Sequence, residues 1–412
     1  MTIASALLSA ALAAPGSAAS TAPALPALPP GTTLSARNVP IEPGARRELV
    51  AEGLEHPWGL AFLPDGSALI TERPGRLRVL RDGALVPEPV AGVPAVFAQN
   101  QGGLLDVIAH PRFADNRLVY LTYAHGTAEA NVTRVARARF TGSALEDLEV
   151  IFESNQPKPA AGHFGSRLAW KPDGTLLVSI GDGGNPPTAL DGAFIREKAQ
   201  DVASHWGKIV RLNDDGSAPR DNPFAADADA AKGVWSIGHR NIQGLAFDAA
   251  RSAVWATEHG SLGGDELNRV AAGSNQGWPK VSLTREYVGG APVGEATTRE
   301  GMVDPVLLWD TAVAPSGLAV YAGRAFPQWQ GDLFSGSLVS LDVRRIDLDD
   351  AGAIRGETAL RVGQRVREVE VGPDGFLYVL TDEKSGRLMR FVPAAPAAAP
   401  TAPTAIDRPG RG

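Results

Sequence analysis

Residues 234–278 read VWSIGHRNIQGLAFDAARSAVWATEHGSLGGDELNRVAAGSNQGW and crowd Arg240, Asn241, His259, Glu266 and Gln276 around two short apolar runs, LAF and VWAT. Each run meets a glycine-bearing polar segment, GHRN before the first and EHGSLGGDE after the second. The polar groups therefore sit at strand ends, where loops build sites. A loop that only connects has no need of an imidazole, a guanidinium and carboxylates together, whereas acid-base chemistry draws on that set.

The elements that must position these groups are strands. One phrase recurs six times: an apolar strand, a turn and a second apolar strand. It is plainest in GLAFLPDGSALITER, RLAWKPDGTLLVSIGD and EVEVGPDGFLYVLTD, and weaker in LLDVIAHPRFADNRLVYLTYA, GLAFDAARSAVWATE and GLAVYAGRAFPQWQGDLFSGSL. Proline presets one turn dihedral and glycine accepts a positive one, so each phrase predicts a β-hairpin. Copies spaced roughly fifty to seventy-five residues apart fit four-stranded modules with loops of varied length. The expectation is an all-β fold, a six-bladed β-propeller whose neighbouring sheets bury one another's faces around an axial channel. Polar ends of the innermost strands then converge at one mouth, which would bring His163, Asp182, Arg240 and His259 together.

Composition narrows the chemistry. The 412 residues carry a formal charge of −7 and no cysteine. Disulfides, thiolate metal sites and a cysteine nucleophile are excluded, so a metal would need oxygen or imidazole ligands. No basic face supplies the footprint that a nucleic-acid partner requires. Residues 1–36 form a signal-like, then Pro/Ala-rich leader, with an apolar region at residues 3–14 and small residues such as Ala11, Ala13 and Ser17 offering cleavage sites. A periplasmic or secreted location is expected, and no run is long enough for a transmembrane helix. Residues 37–393 form the propeller; residues 394–412 are a Pro/Ala-rich tail, expected to be disordered.

The segments QGGLLDVIAHPRF, HFGSRLAWKPDGTLLVSIGDGG, GHRNIQGLAF, EHGSLGGDELN, SNQGWP and APSGLAVY, in this order, resemble the soluble sugar dehydrogenases that depend on pyrroloquinoline quinone (PQQ), in particular the aldose sugar dehydrogenase branch. The resemblance implies oxidation of the anomeric hydroxyl of an aldose to a lactone, with PQQ over the channel mouth, calcium beside it, and an electron acceptor that reoxidises the quinone. It implies His163 as general base, Asp182 as the carboxylate that orients it, and Gln101 beside the reacting hydroxyl. Arg240 and Asn241 would hold the quinone oxygens, with His259 and Gly260 next to the cofactor. The carbonyls of Gly260 and Ser261 would ligate one calcium, and Glu266 with the carbonyl of Gln276 a second, structural one. The chemistry agrees with these roles: removing a proton and a hydride calls for a base near neutral pKa, and a fixed guanidinium stabilises the developing charge.

Some positions depart from the family pattern. Gly162 stands where the soluble glucose dehydrogenases carry Asp, which shifts substrate preference, and Ser261 replaces a more usual Pro. Ala322 and Ser340 occupy places where relatives have basic residues against the PQQ carboxylates, so binding would need Arg344, Arg345 or another arginine. His56 and His110, each before a proline, read as turn or packing residues; His205 reads as either structural or functional. The tryptophans read mostly as packing between blades and Asp265 as a loop cap.

Two other functions fit the architecture: a calcium-dependent lactonase or hydrolase, which would hold its metal on several Asp, Asn and Glu side chains in the channel, and a non-catalytic binding propeller, which needs no convergent base. Nicotinamide chemistry is excluded by the lack of a glycine fingerprint between a strand and a helix.

Overall fold

The structure, a computed structural model, describes residues 28–184, 187–190 and 192–394. The signal-like segment at residues 3–14 and the tail from residue 395 lie outside these described residues.

Each of the six hairpin phrases forms the two innermost strands of one sheet, and the chain then adds two outer antiparallel strands in the first five sheets and one in the last. The innermost strands, in chain order, are Pro57–Phe62, Leu104–Ala109, Leu168–Trp170, Ile242–Asp248, Pro315–Val320 and Val366–Val371. They pack side by side in that order and the last returns to the first, so the ring of blades I to VI closes. This is the expected six-bladed propeller of four-stranded blades. The turn chemistry also holds: Gly66, Gly174 and Gly375 of the three PDG turns all sit near φ +80°.

Blade VI is completed by the chain's other end, because its outermost strand is Ala45–Leu54, paired antiparallel with Gly386–Pro393. Thr33–Leu34 pairs in parallel with Leu307–Leu308 on the edge of blade IV. The chain thus enters the fold before residue 37, inside the segment read from sequence as leader.

The apolar side chains form one cluster for each pair of neighbouring blades. Leu69, Val79, Val107 and Leu121 join blades I and II, for example, and Leu177, Ile209, Leu245 and Val254 join III and IV. Every such leucine or valine taken from water contributes about 1.5–3 kcal/mol. Trp206, Trp235, Trp255, Trp309 and Trp329 fill these seams as expected. Trp58 and Trp278 do not: both lie at the channel mouth against arginines, Trp58 under Arg167 and Trp278 under Arg240.

His110 caps a turn through Nδ1, which accepts from the Arg112 N–H at 2.9 Å, and packs on Tyr120 and Trp170. His56 leans on Asp382 at 3.1 Å. His205 is structural, accepting from the Asn155 N–H at 2.9 Å, and burial pushes it down to about 4. No helix among the described residues is long and apolar enough to cross a membrane.

Candidate active site

The loops that enter and leave the inner hairpins of blades II, III and IV carry the site. His163 lies on the loop into the first strand of blade III, and Asp182 just past the end of that blade's second strand, Leu176–Ile180. The hairpin therefore brings its two open ends together, and His163 Nδ1 meets Asp182 Oδ1 at 2.6 Å. Both side chains are buried, at 1% and 0% exposure. With Nδ1 committed to the carboxylate, Nε2 is the nitrogen left to take a proton.

Burial pushes the His163 imidazole below its ordinary range; Asp182 opposes this, while Arg240 and Lys158 add to it. Burial pushes Asp182 up, but His163, Arg240 and the Gly184 N–H outweigh it, and the carboxyl stays below its usual range. The pair is thus a neutral imidazole on an ionised carboxylate at neutral pH.

Three further contacts fix this dyad. Gln101 Oε1 accepts from the His163 N–H at 2.7 Å. The Trp278 indole N–H donates to Asp182 Oδ2 at 2.8 Å, and the Asp182 N–H donates to the Arg240 carbonyl at 2.7 Å. Trp278 was read from sequence as packing; its role was hidden because nothing in SNQGW says that its loop folds back over blade III.

Arg240 and Asn241 lie on the link between blades III and IV. The Arg240 guanidinium donates to the His259 carbonyl at 2.8 Å and to Ser261 Oγ at 2.9 Å, and its Nε–H is buried without a partner. Asn241 Oδ1 accepts from the Gly165 N–H at 3.2 Å. His259 Nε2 faces the Pro315 carbonyl at 2.8 Å, and burial with nearby Arg240 and Arg367 pushes it down to about 3, so it is neutral. Asp265 does cap its loop, and ties a second one: it accepts from the N–H groups of Gly260, Val313 and Ala314.

Gln101, Asn241 and His259 line a cavity of about 350 Å³ at the channel mouth, together with Trp58, Phe164 and Gln243. His163, Asp182 and Arg240 do not line it directly; they lie behind Gln101, Phe164 and His259. The same cavity is edged by three guanidiniums, Arg73, Arg365 and Arg367, against one carboxylate, Asp382. These arginines, and not Ala322 or Ser340, are the cations at the cavity. Arg344 and Arg345 do not supply them: Arg344 pairs with Asp342 and Glu357, and Arg345 with Asp332 and Glu42, on the outer part of blade V.

Glu266 and Gln276 lie apart from this cavity. With Arg240, Glu258, His259 and Gly260 they enclose a void of about 10 Å³, the size that takes one water or ion. Burial first, then the charge of Glu258, pushes Glu266 up to about 8, and Gln276 Oε1 is buried without a partner. Carboxylate and orphaned amide oxygens are the donors a hard cation prefers, so these residues fit calcium. Among the described residues no three His, Asp or Glu side chains converge as a metal cage. A cation would therefore lean on amide and carbonyl oxygens as well as on Glu266. Sequence reasoning missed Glu258, whose carboxylate accepts from the Arg240 N–H at 2.8 Å and from His239 Nδ1 at 2.6 Å.

The sequence profile of the Glucose / Sorbosone dehydrogenase family matches residues 54–390. An uncharacterised protein of Synechocystis is 58% identical over 357 residues, covering 85% of this chain and 87% of that protein. The Aldose sugar dehydrogenase YliI of Escherichia coli is 39% identical over 352 residues, covering 84% of this chain and 92% of that protein. Among solved structures, the PQQ-bound form of aldose sugar dehydrogenase from Streptomyces coelicolor superposes with a TM-score of 0.64 at 27% identity, covering 86% of this chain and 100% of that one. With a closed six-bladed ring, a buried His–Asp pair at its mouth and a family match over most of its length, the chain belongs to the glucose/sorbosone dehydrogenase family.

Proposed function

We propose that the protein oxidises aldose sugars at the anomeric hydroxyl to the lactone, with PQQ as cofactor and calcium as its counter-ion. The observation that carries this reading is the 2.6 Å His163–Asp182 pair, held by Gln101, which itself lines a cavity edged by three arginines. When bound, PQQ supplies a two-electron acceptor. Everything else falls to the chain. His163 Nε2 receives the hydroxyl proton as the hydrogen on the anomeric carbon leaves with its electron pair. Asp182 keeps the imidazole in the tautomer that can accept, and stabilises the imidazolium that results. Arg240, fixed by two hydrogen bonds, presents a positive field without having to reorganise.

Arg73, Arg365 and Arg367 would face the carboxylates of PQQ, a tricarboxylate, with Asn241 and His259 beside them. Gly260 and Ser261 would offer backbone carbonyls to the calcium next to the cofactor, and Glu266 with Gln276 would hold a second one. The signal-like leader supports a periplasmic or secreted location.

The test is a spectrum. Purified protein stripped of PQQ is mixed with PQQ and calcium, an aldose is added, and reduction of the bound quinone is followed. Reduction by several aldoses that depends on both additions is expected. Full activity without PQQ, or turnover that needs a nicotinamide, would sink the reading.

A further inference from the structure

Lys158 takes no part in the scheme above, yet its side chain is completely buried directly behind the dyad. Its backbone pairs in both directions with Asn131, at 3.0 Å each, which anchors it to the third strand of blade II. From there the side chain crosses to blade III, where its stem lies against Gly183. The ammonium donates to the carbonyl of Gly162 at 2.7 Å and to that of Ala160, and sits 3.9 Å over the Phe164 ring. It thus grips the backbone immediately before His163 and the side chain immediately after. His163 itself has φ +50°, a left-handed conformation that a non-glycine residue keeps only where its surroundings impose it.

We propose that Lys158 is a positioning residue for the base: its ammonium clamps the 160–162 backbone so that His163 is held against Asp182, and its charge opposes protonation of the imidazole. This rests on the reading of His163 as base. The charged and titratable groups that face His163 are Asp182, Arg240, Lys158 and His259. Asp182 favours the imidazolium, Arg240 and Lys158 disfavour it, and His259 is neutral over the same range. Around Lys158, Asp182 is the opposing charge. Burial lowers Lys158 to about 7 and holds His163 below the ordinary histidine range, so the lysine is charged where the histidine takes up a proton. The sign follows: a base with a depressed pKa works above that pKa and is lost as pH falls through it. Removing the lysine charge raises the pKa and moves the loss to higher pH.

The experiment follows His163 by NMR in histidine-labelled protein free of PQQ and sugar, alongside pH profiles of PQQ-loaded enzyme. Lys158→Met is expected to raise the His163 titration, shift the acid limb of turnover upward and lower turnover on the order of tenfold to hundredfold, with PQQ affinity unchanged. Lys158→Gln, which keeps a donor for the carbonyls, should restore part of the turnover and none of the titration shift. A folded variant with the parental His163 titration and the parental acid limb overturns the proposal. If neither variant folds, the parent protein decides: the Lys158 ammonium should give a slowly exchanging signal, and an ammonium that exchanges as in free solution overturns the clamp. Coupled titration in a protein that oxidises no aldose would refute the function alone, and an active enzyme with an unmoved His163 would refute the clamp alone.

Discussion

Asp106, Arg167 and Glu368 meet on the inner strands one step deeper into the channel than the cavity-lining residues Leu105, Gln243 and Arg367. His163, Asp182 and Arg240 meet at the mouth. Both groups are buried, both mix acids with arginine, and both draw on several blades. They differ in what is left over. The deeper group also lines a cavity, of about 520 Å³, but its charges are paired with one another: Arg167 donates to the Gln243 carbonyl at 2.6 Å, to the Arg367 carbonyl at 3.0 Å and to Glu368, lies 3.6 Å from Asp106, and stacks 3.9 Å over Trp58. Asp106 accepts from the Val107 and Leu168 N–H groups, and Glu368 from that of Val369. Gly59 and Gly317 make room, since a side chain at Gly59 would come within 2.7 Å of Asp106 and one at Gly317 would strike Glu368.

The upper group is open. The Arg240 Nε–H and Gln276 Oε1 are buried with no protein partner, and both residues line the small void. Buried polar atoms are normally paired, so valence kept free at such cost points to a ligand. A satisfied charge cluster holds a fold together, and an unsatisfied one awaits chemistry.

The widest separation between the two clusters should come from removing one member of each. His163→Ala is expected to lose about a hundredfold to ten-thousandfold in turnover while keeping PQQ at full occupancy and the parental melting temperature. Arg240→Ala, which in the proposed scheme removes a cation near the cofactor as well as a fixed field, should lose both rate and PQQ affinity. Titration with PQQ and single-turnover reduction separate binding from chemistry, and a His163→Ala enzyme that reduces PQQ at the parental rate would remove the base from the scheme.

Arg167→Met should do the opposite. It strands two buried carboxylates, a loss of about 3–5 kcal/mol of stability. Denaturant unfolding measures it, and a variant as stable as the parent would show that the deeper cluster is not a clamp.

The smallest effect sharpens the border between the two. Glu266→Gln should abolish the calcium-dependent part of the melting temperature, worth about 2.7 kcal/mol at a calcium concentration a hundredfold above its dissociation constant. Parent and variant that melt alike, with calcium and after chelation, would show that no cation ties Glu266 to Gln276.

Much of this molecule was legible from one dimension. The period-2 apolar runs and the PDG turns determine six hairpins, because strand alternation and turn dihedrals are local properties. The family segments pointed to His163, Asp182, Arg240 and Glu266 because a site residue keeps its type and its immediate neighbours. Which arginines face the cavity was decided only by the ring. Arg344 and Arg345 are as basic as Arg365 and Arg367, but the first pair turns to carboxylates on the outer strands while the second lies at the start of an innermost strand. Trp278 and Lys158 gave no local sign of their roles either. Lys158 reaches only Ala160, Gly162 and Phe164 nearby in the chain, but its anchor is Asn131 on blade II, and Trp278 acts on Asp182, 96 positions away. Such a contact exists only once the sheets have closed into a ring, since packing between blades, and not spacing along the chain, sets which side chains share the mouth.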